Sequence, residues 1–230
     1  MDENTCFIPG RFAFFDFDDT LFQGDSILPF LMYCIKRRIA PVTQLPKAIY
    51  AFVRFKLNSG FASGAKEITL SFLKGKTHEE INDIARDFFR TVGPKRFFRQ
   101  AKAEMKQLHI EGYRVMIVSA SADVYLKMLP EFLPVDDILA TPCAFDDAGR
   151  FTGNIGVTCK GKEKPLRILE YLTKNGWTMD PDACCAYGDS YSDRFMLEMT
   201  GHPVLVNPHR KLQAHLAAPG VRQVRWSPEK

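Results

Sequence analysis

The sequence has no Cys-x-x-Cys pair, although it carries six cysteines: Cys6, Cys34, Cys143, Cys159, Cys184 and Cys185. Its histidines do not cluster with them, which argues against a zinc site. Cys184 and Cys185 fall in an apolar, strand-like run, so they read as small buried side chains, and the scattered usage fits a reducing compartment. No apolar run is long enough to span a bilayer. The nearest, residues 42–57, is interrupted by Lys47, Arg54 and Lys56. The acidic N-terminus lacks a basic segment followed by an apolar stretch, so no signal peptide is expected and the expected setting is cytoplasmic. There is no G-x-x-x-x-G-K-[ST] loop, no internal repeat and no low-complexity segment. The net charge is only +4. No nucleic-acid motif accompanies the basic residues, so nucleic acid is not an expected partner.

What is present is a chain of 230 residues with 19 phenylalanines, enough for a substantial core. Residues 11–17 read as a short buried strand. From Ser26 to about Thr91 the apolar spacing turns helical, with Ser26 a candidate cap and Thr77 with Glu80 in capping-box spacing. A helix over 94–109 then leads into a strand over 113–119. Helices follow near 122–132, 163–174 and 191–199, and strands at 183–187 and 203–206. Segments 141–145 and 151–155 read as a β-hairpin. Apolar strands alternating with helices predict an α/β fold, a Rossmann-like doubly wound parallel sheet. Residues 1–22 and 93–230 form the expected core, and residues 23–92 an inserted helical-bundle cap.

Asp16 and Asp18 stand two apart in Phe14-Phe15-Asp16-Phe17-Asp18-Asp19-Thr20-Leu21. If the run stays extended, both carboxylates point one way, which suggests a metal, or an acid beside a base or nucleophile. Alone, the pair reads as a polar strand end. Ser119 ends a second predicted strand, and Asp189 and Asp193 follow a third. In an open α/β sheet these ends share one rim, where ligands bind. Gly161-Lys162-Glu163-Lys164 puts lysines at a helix start, against the dipole, which favours a functional role for Lys162 or Lys164.

In this order the motifs resemble the haloacid dehalogenase superfamily, and the long insertion after the first motif resembles its phosphoserine-phosphatase-like branch. The resemblance implies a Mg²⁺-dependent phosphatase for a small phosphorylated substrate. Asp16 would be the nucleophile and Asp18 the general acid/base. Ser119, Ala120 and Lys164 would bind phosphate. Mg²⁺ would take Asp16, the Asp18 carbonyl and Asp189, with Asp193 in support. The physics agrees: a carboxylate approaching a phosphate needs a cation, and an all-oxygen set suits Mg²⁺. Dehalogenases of the superfamily lack the second Asp, so Asp18 favours phosphate chemistry.

For the substrate, phosphoserine phosphatases use an acid just after the first motif and an Arg in the cap. Asp25 stands at the place of the acid, Glu67 falls in register with the Arg, and Ser192 replaces the usual Asn before the last Asp. The cap departs from that pattern. Residues 26–76 carry nine Lys/Arg against one acid, Glu67. With its apolar helices, this resembles phosphatidylglycerophosphate phosphatases, and a peripheral membrane contact is the alternative reading. An apolar bundle interior solvated by lysines is the preferred one. A non-catalytic phosphate-binding protein is a third, disfavoured because binding alone needs no acid/base residue.

Overall fold

Four consecutive large or apolar residues, Phe12–Phe15, form strand β1, and all four are fully buried. A computed structural model of the chain describes residues 7–57, 62–216 and 220–228. Cys6 lies outside them. β1 sits in the middle of a six-stranded parallel sheet ordered β3-β2-β1-β6-β7-β8. The strands are β2 (Arg114–Ala122), β3 (Asp137–Thr141), β6 (Cys185–Gly188), β7 (His202–Val206) and β8 (Arg222–Val224). Side chains alternate faces along β1. Phe12 and Phe14 join one apolar cluster with Met116, Val118 and Ala186, while Ala13 and Phe15 join another with Val115, Ile117 and Tyr187. Both sheet faces are covered, as the α/β expectation requires. Because β2 and β3 lie to one side of β1 and the later strands to the other, the chain reverses beside β1, and a crevice opens at the strand carboxyl ends there.

Four helices follow β1: α1 (Ile27–Lys36), α2 (Gln44–Leu57), α3 (Ala62–Leu70) and α4 (His78–Val92). The Thr77–Glu80 capping box starts α4 as expected. Ser26 does not cap α1. The Asp25 carboxylate accepts from the Ile27 amide instead, and the buried Ser26 hydroxyl pairs with Tyr125 Oη at 2.9 Å. The helices share the larger apolar cluster with the sheet. Phe30 of α1 stacks on Tyr125 at 4.9 Å and meets Phe88 edge-on at 5.2 Å.

Several expectations shift. β1 ends at Phe15, because the Phe17 carbonyl accepts the amides of Leu21 and Phe22 and turns the chain. The helix expected from residue 94 begins later, as α5 (Arg99–Ile110), because Arg96 and Phe98 first pair with Gln23 and Leu21. The helix expected near 122–132 is only α6 (Asp123–Leu126) and a 3-10 turn at Leu129–Glu131 containing Pro130. Thr141 belongs to the unforeseen edge strand β3, so the hairpin pairs β4 (Cys143–Phe145) with β5 (Phe151–Ile155). Helix α7 (Glu163–Lys174) matches its expected bounds. The helix expected over 191–199 is a 3-10 turn, Tyr191–Asp193, and α8 (Arg194–Leu197). α9 (Arg210–Leu216) and β8 were not foreseen.

Phe30 packs between Phe88 of α4 and Tyr125 of α6. Phe30→Ala should therefore lower unfolding free energy by roughly 3–5 kcal/mol, and Phe30→Leu by clearly less. Urea denaturation measures both, and an Ala variant within experimental error of the parent would contradict this packing role.

Candidate active site

The crevice gathers side chains from four chain segments. Asp16 continues the ladder one residue past β1, its amide donating to the Tyr187 carbonyl at 2.9 Å. Lys164, in the first turn of α7, reaches it: Nζ donates to Asp16 Oδ1 and to Asp193 Oδ1, both at 2.7 Å. Lys164 is 1% exposed. Burial disfavours its charge, but the two carboxylates outweigh that and hold the ammonium far above its usual range. They also offset the unfavourable end of the helix dipole. Lys162 instead lies over the Phe195 ring, 5.6 Å from its centroid, so of the two lysines it is Lys164 that meets the carboxylates.

The loop after β6 supplies Asp189 and Asp193. Asp193 Oδ2 accepts from the Ser190 amide at 3.0 Å and from the Ser190 hydroxyl at 2.6 Å, so Ser190 and Lys164 between them hold both its oxygens. Gly188 makes this possible, since a Cβ there would stand 2.7 Å from Asp193 Cβ. Ser192 pairs with Ser190 at 2.7 Å. Asp16, Asp189 and Asp193 present oxygens within 4.8 Å of one another. Burial, then the charges of Asp16 and Asp193, push the Asp189 carboxyl up to about 9. Such a cluster, with Lys164 its one buried cation among the described residues, fits a hard, oxygen-seeking cation. Asp189 also belongs to a second group, with Asp19 and His209, which the sequence reading missed. Asp19 holds φ +58°, and His209 Nε2 lies 3.5 Å from Asp189 Oδ2.

Asp18 is partnered differently. Its Oδ1 accepts the Ser26 amide at 2.7 Å and its Oδ2 the Ser121 hydroxyl at 2.5 Å. Its side chain is therefore outside the cation-fitting cluster, contrary to the shared direction expected of an extended run. The chain leaves the strand after Asp16 and turns before it reaches Asp18. Burial and the Asp25 charge push the Asp18 carboxyl up to about 8, while burial pushes Asp16 to about 6, where Lys164 opposes the rise. Ser119 is buried, and its hydroxyl accepts the Ser121 amide at 3.0 Å. It is not the last strand residue: β2 runs on to Ala122 through an irregular register, which sets Ser121 toward Asp18. Neither Ser121 nor Tyr125 was singled out from sequence, since an irregular strand end has no signature in residue order.

Beside Asp18 opens a pocket of about 120 Å³. Ile27, Leu28, Ala48, Phe52 and Phe55 supply apolar wall, and Asp25, Lys66, Thr158 and Lys160 polar groups. Asp25 lines this pocket and is exposed, and desolvation raises its carboxyl. Glu67 is not there. Its Oε1 accepts the Ile155 amide at 3.0 Å, on the hairpin side of α3. Its neighbour Lys66 faces the pocket and donates to Thr158 Oγ1 at 3.2 Å. Desolvation, aided by Lys160, lowers the Lys66 amine to about 8, while Asp25 works against the fall.

Known proteins resemble this chain. Protein CicA of Caulobacter vibrioides is 33% identical over 189 residues, covering 80% of each chain. A Mycobacterium tuberculosis protein named phosphoserine phosphatase SerB1 is 26% identical, covering 88% of this chain and 66% of that one. A crystal structure of a Bordetella pertussis protein described as of unknown function superposes with TM-score 0.83 at 24% identity, covering 94% and 99% of the two chains. The model of the haloacid dehalogenase-like hydrolases matches residues 13–198, and this chain, with its carboxylates, Ser119 and Lys164 gathered at one sheet rim, belongs to that family.

Proposed function

We propose that this hydrolase cleaves phosphomonoesters through a phospho-aspartate on Asp16. One observation carries the reading: two carboxylates only two residues apart are held in different environments. Burial raises both carboxyls, but Lys164 opposes the rise at Asp16 while Asp25 adds to it at Asp18, so Asp18 is the one that keeps its proton to higher pH. Paired titratable groups pushed apart in this way mark a nucleophile and an acid.

The Asp16 carboxylate oxygen would attack phosphorus as the ester P–O bond breaks, and Asp18 would give its proton to the departing alkoxide oxygen. Asp18, now a carboxylate, would take a proton from water as the water oxygen attacks phosphorus, releasing inorganic phosphate and Asp16. Ser119, the Ala120 backbone and Lys164 would hold phosphoryl oxygens, each fixed donor lowering the barrier by roughly 3–4 kcal/mol. Mg²⁺ suits the donor set, where Asp16 and Asp189 would hold it and Asp193 would steady the loop and Lys164. Bound there, it supplies positive charge that offsets repulsion between carboxylate and phosphate. The leaving group would face the pocket. Asp25 and Lys66 give that pocket the acid and cation a phosphoserine-like substrate needs, and its aromatic wall suits a larger apolar body.

Asp16→Asn should abolish Mg²⁺-dependent p-nitrophenyl phosphate turnover while leaving the melting temperature near the parent's; retained turnover would sink the mechanism and favour a binding-only protein. Ser121 lowers the Asp18 pKa, so Ser121→Ala should move the alkaline limb of kcat/KM to higher pH. A limb that stays put would remove Asp18 as the acid. Lys66→Met should raise KM for phosphoserine and other substrates with a second anionic group, and spare p-nitrophenyl phosphate. Equal losses on both would place Lys66 outside substrate selection.

Metal-free stability gives a further check. Asp18 and Asp189 have folded values of about 8 and 9 against an ordinary 3.8, so their contribution is full below pH 3.8 and is lost as pH rises through 8 and 9. In EDTA the melting temperature should fall across this range, less steeply in Asp189→Asn. Added Mg²⁺ should raise it most at the alkaline end. Parallel profiles for parent and variant would contradict the assignment.

A further inference from the structure

Helix α2 has two unlike sides. Gln44, Ala48 and Ala51 are buried, and Ala48, Phe52 and Phe55 line the pocket. The opposite side is not the polar face a surface helix ordinarily presents. Ile49, Tyr50, Val53 and Leu57 lie there, 54%, 58%, 50% and 84% exposed. At 3.6 residues per turn these four fall within an arc of about 100°. Lys47 and Arg54 are exposed along one edge of the stripe, and the Arg54 guanidinium lies over the Tyr50 ring, 5.9 Å from its centroid. From Gln44 to Leu57 the helix contains no acidic residue.

We propose that this face of α2 docks the protein on the surface of an anionic lipid bilayer. The four apolar side chains would enter the boundary between headgroups and acyl chains, with Lys47 and Arg54 among the phosphates. Charge complementarity selects the occupant. A second copy of the chain brings no acid on α2 to receive Lys47 or Arg54, whereas an anionic headgroup layer supplies negative charge along the whole stripe. No helix among the described residues is long and apolar enough to cross a membrane, so the contact is with the surface. The helix that meets lipid is also a wall of the pocket, and docking would set the pocket beside the headgroups. The proposal stands apart from the chemistry assigned to Asp16.

Cosedimentation of the full chain with sucrose-loaded phosphatidylcholine vesicles, with and without phosphatidylglycerol, tests it. Binding is expected with phosphatidylglycerol at low salt, and should be lost at high salt or on neutral vesicles. Val53→Glu and Leu57→Glu should each weaken it by roughly tenfold or more. Neither residue lines the pocket, so melting temperature and p-nitrophenyl phosphate hydrolysis should match the parent and exclude misfolding. No binding at low salt overturns the proposal, as does equal binding to neutral vesicles or undiminished binding by both variants. A dimer by light scattering that both variants dissociate overturns it too, by giving the stripe to a second copy.

Discussion

The ammonium of Lys164, enclosed between Asp16 and Asp193, is the contact on which the site depends. A buried charge is costly unless it is paired, and breaking such a pair by removing one partner costs roughly 3–5 kcal/mol. Three separate pieces of chain must therefore arrive together: the end of β1, the first turn of α7 and the loop after β6. Gly188 leaves the room for Asp193, and Ser190 fixes that carboxylate from its other side. Burial first, and then the negative charges of Asp16 and Asp193 that one ammonium does not fully offset, make Asp189 resist ionisation. That excess of negative charge makes the place suited to a divalent cation.

A second set of contacts ties the sheet to the inserted helices. Ser26 reaches Tyr125, Ser121 reaches Asp18, and Phe30 stacks on Tyr125, so the start of α1 is bound to the end of β2 through polar and aromatic contacts together. Asp18 is held where the two parts meet. Its protonation therefore responds to both, through burial and through Asp25. The pocket lies in the same place, lined by α1, α2 and α3 on one side and by Ala120, Ser121, Thr158 and Lys160 on the other. The pocket and the Asp18 carboxylate share one boundary.

The central strands were legible because a parallel strand covered on both faces needs a continuous apolar run, and Phe12–Phe15, Val115–Val118 and Cys185–Tyr187 supply one. The edge strands β3 and β8 were not. They are only partly covered and mixed in polarity, so pairing with a neighbour defines them rather than their own pattern. The helix expected over 94–109 shows a related limit: Phe97 and Phe98 fit an apolar helical face, but the return of the chain past Leu21 and Gln23 draws that stretch into extended pairing.

By itself the sequence brought forward Asp16, Asp18, Ser119, Lys164, Asp189 and Asp193 as candidates, because each falls near the end of an apolar run or at a helix start, and such places converge on one rim of an open sheet. Tertiary structure decided how the members pair and what surrounds them. One residue of helix turns a side chain by about 100°, so Lys66 enters the pocket and Glu67 bonds the hairpin, a choice set by how α3 packs and invisible in residue order. The pair Asp16 and Asp18 is divided in the same way. Two residues of ideal strand would aim Asp16 and Asp18 together, but the chain turns between them, giving one carboxylate to Lys164 and the other to Ser121.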